Sequence, residues 1–478
     1  MFDAVQLPRR EGGNPSLELE HRRFHSRQVV AFQKEQLDVL HRLSPGKPVT
    51  HNMCGFFVGD VDYYELAREL DVASLDYYYN NGPWAERLAG VPYESAQMDL
   101  TRSLKKANFW VTETPTGPIG SQFFLRNLRP LEMRRMNFQA LGHGADALVW
   151  FRWRTCLFGQ EQYTHGILGH DGIPGRRYQD VARTAREFHA LWPDLEGSVV
   201  QSEVAVVYVY DNRWALGIQP NARDFDYLGH LFQYYRALKR EGVNVDFVGT
   251  HEPLDGYRAV VLPTGYVLTP EYAAKLTAFV ANGGVLLATV RSGVKNEDNV
   301  PHEMTLPGLL HEVAGVRIDE YEALLERNPV RFEEALGGGV FEADRLCDWI
   351  VPESAEVLAR HETEHLSAFA AVTVNQFGGG KAYYVGTCFV EDGPVRAIMR
   401  RVLDDAGVER PVGLPEGVNA CMRQKGPERY LFVMNHNDHA VELDLGRLPP
   451  CRELVAGAPA GAMHQIAAGE VSVLHWKA

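Results

Sequence analysis

Cysteine is scarce and scattered: the 478 residues hold six (Cys54, Cys156, Cys347, Cys388, Cys421, Cys451), with no Cys-x-x-Cys among them. That spacing excludes both a zinc-ribbon ligand set and a secreted disulfide framework. No Cys/His ligand spacing stands out either, so no metal and no cofactor is expected. Apolar runs stay below the roughly 18 residues of a membrane span. No basic-then-apolar leader opens the chain, which therefore reads as soluble, cytoplasmic and reduced. Positive charge is also short, with 48 Lys and Arg against 62 Asp and Glu for a formal net charge of −14. A nucleic-acid partner is excluded on that ground, because binding a phosphate backbone needs clustered cations. There is no internal repeat and no low-complexity segment.

What is present is a generous supply of aromatics, including 20 Tyr and 8 Trp, and a βα rhythm. Residues 1–15 are polar and turn-rich. Leu17, Phe24, Val30, Phe32, Leu37, Leu40 and Leu43 then recur at helical spacing, predicting a long amphipathic helix that stops at Pro45-Gly46. Four short strands follow: Pro48–Asn52, Val72–Asp76, Phe109–Glu113 and Ala147–Phe151. Helices around Asp62–Leu70, Glu94–Lys106 and Leu131–Leu141 separate them. Each strand ends on a polar or aromatic residue, the grammar of a (β/α)8 barrel, whose working groups sit at the carboxyl ends of its strands. Eight strands close such a barrel and only four are seen, so residues 1–197 read as its C-terminal half.

The pattern resets near Gly197. Residues 198–408 alternate strands (Val204–Tyr210, Val243–Phe247, Arg258–Pro263, Val285–Ala288) with helices Tyr227–Arg240 and Pro270–Ala281, predicting a doubly wound, Rossmann/flavodoxin-like α/β domain. No Gly-x-Gly-x-x-Gly follows its first strand, so a structural or assembly role is expected rather than dinucleotide binding. A class I amidotransferase activity is discounted because no Gly-x-Cys-x-Gly elbow is visible there. Residues 409–478 shorten into strands at Asn419–Met422, Arg429–Met434, Ala440–Leu445 and Val471–Trp476, the pattern of a small β-sandwich.

The chemistry is expected at the strand ends. Asn108-Phe109-Trp110-Val111-Thr112-Glu113 is a buried strand ending in a carboxylate and breaking at Pro115. Asp76 and Glu161 fall on the same expected face, among Tyr77, Tyr78, Trp150 and Trp153. Carboxylates with aromatics on one lip suit glycoside hydrolysis, which needs one acid to protonate the leaving oxygen and one carboxylate on the opposite face. His51 and His165 are lone histidines, for which a structural role is the simpler reading.

Several stretches together resemble the β-galactosidases of glycoside hydrolase family 42. They are Gly13-Asn14-Pro15-Ser16, Pro48–Asn52, Ser74-Leu75-Asp76-Tyr77-Tyr78, Phe109–Glu113, Gly142–Asp146, Phe151–Arg154, Gln160-Glu161-Gln162 and His165–Leu168. The resemblance spans nearly the whole chain. It implies a retaining hydrolase of terminal β-galactosides of small oligosaccharides, with Glu113 as nucleophile, Glu161 and His165 near the galactose hydroxyls, and Tyr78 beside the nucleophile. It also implies a homotrimer built through the middle domain. Asp76 and Trp153 complete the expected substrate-binding set. The family's acid/base glutamate, in an Asn-Glu motif ending the fourth barrel strand, has no counterpart here; Gly117–Gln122 lacks the family's tryptophan, and Thr164 replaces an aromatic. The expectation is a chain inactive alone because the acid/base half is absent. The alternative is a non-catalytic sugar-binding or assembly remnant.

Overall fold

Asn14 starts the first helix for a local reason. Its side-chain oxygen accepts from the amides of Ser16 and Leu17, and Pro15 takes a first-turn position that needs no amide. The helix Pro15–Leu43 ends before Pro45-Gly46, with Gly46 at φ +76°. In this computed structural model, residues 13–78, 91–120 and 126–478 are described; Tyr79, Asn80 and part of the Gly117–Gln122 loop fall outside them. The helix buries only part of the stripe its sequence suggests, Leu37 fully and Val30 in part. Leu19, Ser26, Gln33 and Leu37 face inward, whereas Leu17, Phe24, Phe32, Leu40 and Leu43 are exposed. The inward face is partly polar because its partners are polar: Gln33 Nε2 donates to Leu66 O (2.8 Å), and Ser26 Oγ accepts from the Asp62 amide (2.9 Å).

Four parallel strands follow, neighbours in chain order: β1 (Asn52–Met53), β2 (Ser74–Asp76), β3 (Phe109–Pro115) and β4 (Ala145–Phe151). Helices Tyr63–Arg68, Val91–Lys105 and Glu132–Gly142 alternate with them. The first strand is shorter and later than expected. Among the described residues, the outer edges of β1 and β4 pair with no further strand.

A two-residue strand, β5 (Val199–Val200), leads into a ten-stranded mixed sheet. Its parallel half comprises β6 (Val204–Val207), β7 (Asp246–Val248), β8 (Ala259–Leu262), β9 (Val285–Thr289) and β14 (Gly380–Val385), in the order β14-β9-β8-β6-β7. Alternate residues serve two cores, so the strands are apolar on both faces. Val204, Val206, Val261 and Leu287 pack toward helices Tyr227–Arg240 and Asp392–Asp405, while Ala205, Val207, Val260 and Leu286 pack toward helix Pro270–Ala281. Two features depart from the sequence reading. The first strand stops at Val207 and a helix, Tyr210–Ile218, begins where strand was expected. The sheet also continues into an antiparallel half, β10 (Val316–Phe332), β11 (Val340–Pro352), β12 (Glu356–His361), β13 (Ala370–Phe377) and β15 (Thr387–Phe389), which the sequence reading had not resolved.

The C-terminal strands β16 (Val418–Lys425), β17 (Glu428–Asn435), β19 (Arg452–Glu453), β20 (Ala458–Pro459) and β22 (Val471–Lys477) form one sheet, whose edge is completed by β5. A two-stranded sheet, β18 (Val441–Asp444) with β21 (Met463–Ile466), covers its apolar face through Val441, Leu443 and Ile466.

Polar locks hold these lobes together at the amino end of the four-stranded sheet. Asp99 is fully buried, paired with Arg102 (2.5 Å) and His143 (2.7 Å), and accepts from Tyr235 Oη (2.6 Å). Arg102 reaches on to Asp246 (2.5 Å) and Val245 O (2.7 Å) in the next lobe. Burial alone would raise the Asp99 pKa, but His143, Arg102 and Lys239 together hold it below the usual carboxylate range. Removing one member leaves the others desolvated without compensation, which costs about 3–5 kcal/mol. Asp99→Ala is therefore expected to lower unfolding stability by that order, measured by urea titration of the purified chain.

Candidate active site

The carboxyl ends of β1, β2 and β3 bring five polar residues together. In β2 and β3, Ser74 pairs with Trp110 and Leu75 with Val111, but Asp76 then pairs with Glu113 rather than Thr112. This one-residue shift is a β-bulge, a device that re-aims a side chain next to a working site. It sets Glu113 level with Asp76. Asn52, at the start of β1, bridges the two: its Nδ2 donates to Asp76 Oδ2 (3.1 Å) and to Glu113 Oε1 (3.3 Å). Tyr78 Oη donates to the other Glu113 oxygen, Oε2 (2.6 Å), and the Thr112 hydroxyl donates to Asp76 Oδ1 (3.1 Å). Both Glu113 oxygens thus accept a hydrogen bond, which fixes the carboxylate plane on the rim.

The electrostatics follow from that crowding. Burial, and then the Glu113 charge, push the Asp76 carboxyl up to about 6 against donors that pull it down. Burial and the Glu113 hydrogen bond raise the Tyr78 hydroxyl, so it stays a donor. Cys54, just beyond β1, is raised by burial and by both carboxylates. The adjacent Tyr77 points the opposite way, its hydroxyl donating to the buried Glu94 (3.3 Å).

The remaining candidates lie on the loop after β4. Glu161 is exposed and ion-paired with Arg152, and its charge adds to those that raise the Tyr78 hydroxyl. His165 is held through its backbone, the amide donating to Pro118 O in the loop after β3 (2.8 Å). Its ring lies 5.5 Å from that of His170, and burial followed by Arg177 and His170 keeps it below the usual histidine range. Close approach leaves no room for a side chain at Gly117, where a Cβ would lie 2.8 Å from Arg177 and 3.2 Å from His165. Trp153 stands 64% exposed, edge-on to Tyr178 at 6.5 Å. His51 enters only through its backbone carbonyl, which accepts from Ser74 Oγ (2.9 Å). Asn52 and Thr112 are the residues the sequence reading left out; the one signal for Asn52 was a strand ending on a polar group. Among the described residues, no three His, Cys, Asp or Glu side chains gather where a metal ion could be held.

Residues 1–191 match the family model described as beta-galactosidase, and residues 202–409 match the beta-galactosidase trimerisation domain. The chain is 33% identical to beta-galactosidase BglY of Alicyclobacillus acidocaldarius over 481 residues, covering 98% of this chain and 69% of that protein. It is 32% identical to beta-galactosidase BgaA of Clostridium cellulovorans over 427 residues, covering 89% of this chain and 64% of that one. It therefore spans about two thirds of the length of these relatives. Among solved structures, the beta-galactosidase of Bacillus circulans sp. alkalophilus superposes with a TM-score of 0.93 at 29% identity, covering all of this chain and 72% of its own. That of Halorubrum lacusprofundi gives 0.88 at 30% identity, covering all of this chain and 71% of its own.

Asp76 supplies a pH test of the rim. A carboxyl raised from 3.8 to about 6 in the folded chain contributes stability below pH 4 that is lost as the pH climbs through 6. Asp76→Asn is expected to melt at a higher temperature than the wild type at pH 7 and to lose that advantage near pH 4. Thermal melts of the two proteins at both pH values check it.

Proposed function

The chain belongs to the family 42 β-galactosidases, and from that premise we propose that it carries the nucleophile half of a retaining β-galactosidase acting on terminal β-galactosides of small oligosaccharides. The observation that carries the reading is Glu113, presented near the carboxyl end of β3 with both oxygens oriented by Tyr78 and Asn52. In the proposed reaction a Glu113 oxygen attacks the anomeric carbon, the aglycone leaves, and water later releases galactose from the glycosyl ester. Tyr78 holds the carboxylate through its hydrogen bond, so the attacking oxygen does not turn away. Glu161, kept in place by Arg152, accepts from sugar hydroxyls, and His165 stands ready to do the same from the loop after β4, which its amide ties to Pro118. Trp153 offers an exposed aromatic face to the apolar side of the ring. Asp76 lies within reach of the same sugar.

The four-stranded sheet is, in this reading, the second half of an eight-stranded barrel, and the acid/base carboxyl lies outside these residues. Three features support it: the open outer edges of β1 and β4, the exposed apolar residues Leu17, Phe24 and Phe32 on the first helix, and the greater length of the relatives. The middle domain is proposed to join three copies of the chain, with the match to a trimerisation domain in support.

A leaving group that departs without a proton isolates the Glu113 step from the missing acid, whose contribution is about 10²–10⁴-fold in rate. Incubation with 2,4-dinitrophenyl 2-deoxy-2-fluoro-β-galactoside is expected to place one fluorogalactosyl group on the Glu113 peptide, read by mass spectrometry. Glu113→Gln is expected to take up none. Lactose, whose leaving group needs protonation, is expected to be turned over far more slowly than dinitrophenyl galactoside. Galactose binding by calorimetry without any adduct would instead mark a sugar-binding remnant.

A further inference from the structure

The antiparallel half of the central sheet contains a feature that the rim chemistry leaves unused. In the β10–β11 hairpin, Leu324 pairs with Arg345 and the next pair is Asn328 with Ala343. Leu325, Glu326 and Arg327 are thus looped out opposite the single residue Asp344. Leu325 is 97% exposed, more than any other large apolar side chain among the described residues. Its backbone is far from loose. Asn328 is buried, hydrogen-bonded to both His361 and Thr363. On the other flank, the Arg291 guanidinium lies 3.8 Å from the Tyr321 ring centroid, and Glu322 accepts from Trp349 Nε1 (3.1 Å) and pairs with His365 (3.4 Å). β12 pairs with β10 only at Val330–Phe332, so the bulge projects from a strand edge with no neighbour among the described residues.

A leucine held in water by a pinned backbone does nothing for the fold of its own chain. It has the properties of an interface anchor, with the ordering entropy already spent before any partner arrives. We infer that the Leu325-Glu326-Arg327 bulge is the point at which one copy of this chain grips the next. The occupant is a second copy because the whole hairpin lies inside residues 202–409, the part that matches the trimerisation domain. The inference rests on the trimer reading proposed above. A three-fold ring needs a heterologous contact, in which each copy presents one patch and receives a different one. A projecting bulge that enters a different patch on the next copy meets that requirement, whereas a self-complementary face would close after two.

Light scattering on a sizing column tests the assignment. Wild type is expected to elute as three copies of the 53.7 kDa chain, and Leu325→Glu as one copy with an unchanged thermal melt. Leu325→Ala is expected to raise the concentration at which the assembly half-dissociates by about tenfold or more, the scale of an anchor residue. A monomeric wild type overturns the trimer reading and this inference with it. A trimeric wild type together with a trimeric Leu325→Glu overturns the anchor alone. Should Leu325→Glu lose its fold, an unchanged dissociation midpoint in Leu325→Ala overturns it instead.

Discussion

One surplus residue in β3 decides where two carboxylates meet. Without the bulge at Thr112, Asp76 would pair with Thr112, and Glu113 would fall one step further along the strand. With it, like charges stand side by side, an arrangement that costs free energy unless donors are supplied. Asn52 supplies the shared donor, Tyr78 and Thr112 supply the others, and these come from three neighbouring strands or their ends. The rim therefore exists only while the parallel register of β1, β2 and β3 is held.

That register is secured from the opposite end. Arg423 of the C-terminal sheet is fully buried and donates to Leu141 O (3.0 Å), Ser198 O (2.8 Å) and Asp146 (2.9 Å), gripping the start of β4. Asn108 ties the start of β3 to the same Asp146 and to Ser198 O. With the Asp99 cluster beside them, the amino ends of β3 and β4 carry structural ties, while the carboxyl ends of β2 and β3 carry the carboxylates. This division between a stabilising floor and a working lip is the usual economy of βα folds.

The parts legible in the sequence were those with local signals. Helix Tyr227–Arg240 is capped by Asp226, and Pro270–Ala281 is capped by Thr269 and opened by its own proline, so their bounds could be read directly. The strand that carries Glu113 was legible because a short run of aromatic and β-branched residues reaching Pro115 is too short for a helix. The hairpin of β10 and β11 was not, because its bulges break the two-residue alternation: through Asp319–Arg327 nearly every position is exposed or half-exposed, whatever its parity. The exposed stripe of the first helix misled for another reason. Periodicity reports that an apolar face exists, and not which face meets the rest of the chain. The Asn52 bridge depends on register between distant strands, which no local pattern encodes.

The junction between the first two lobes is a strand and not a tether. Val199 and Val200 are laddered to Gln424 and Arg423 as β5, and Lys425 Nζ holds Glu196 O just before them (2.7 Å). Swinging one lobe against another about this point would tear hydrogen bonds out of a third. The joint is closer to a weld than a leash: the rim and the Leu325 bulge are linked through paired backbone shared with the C-terminal sheet.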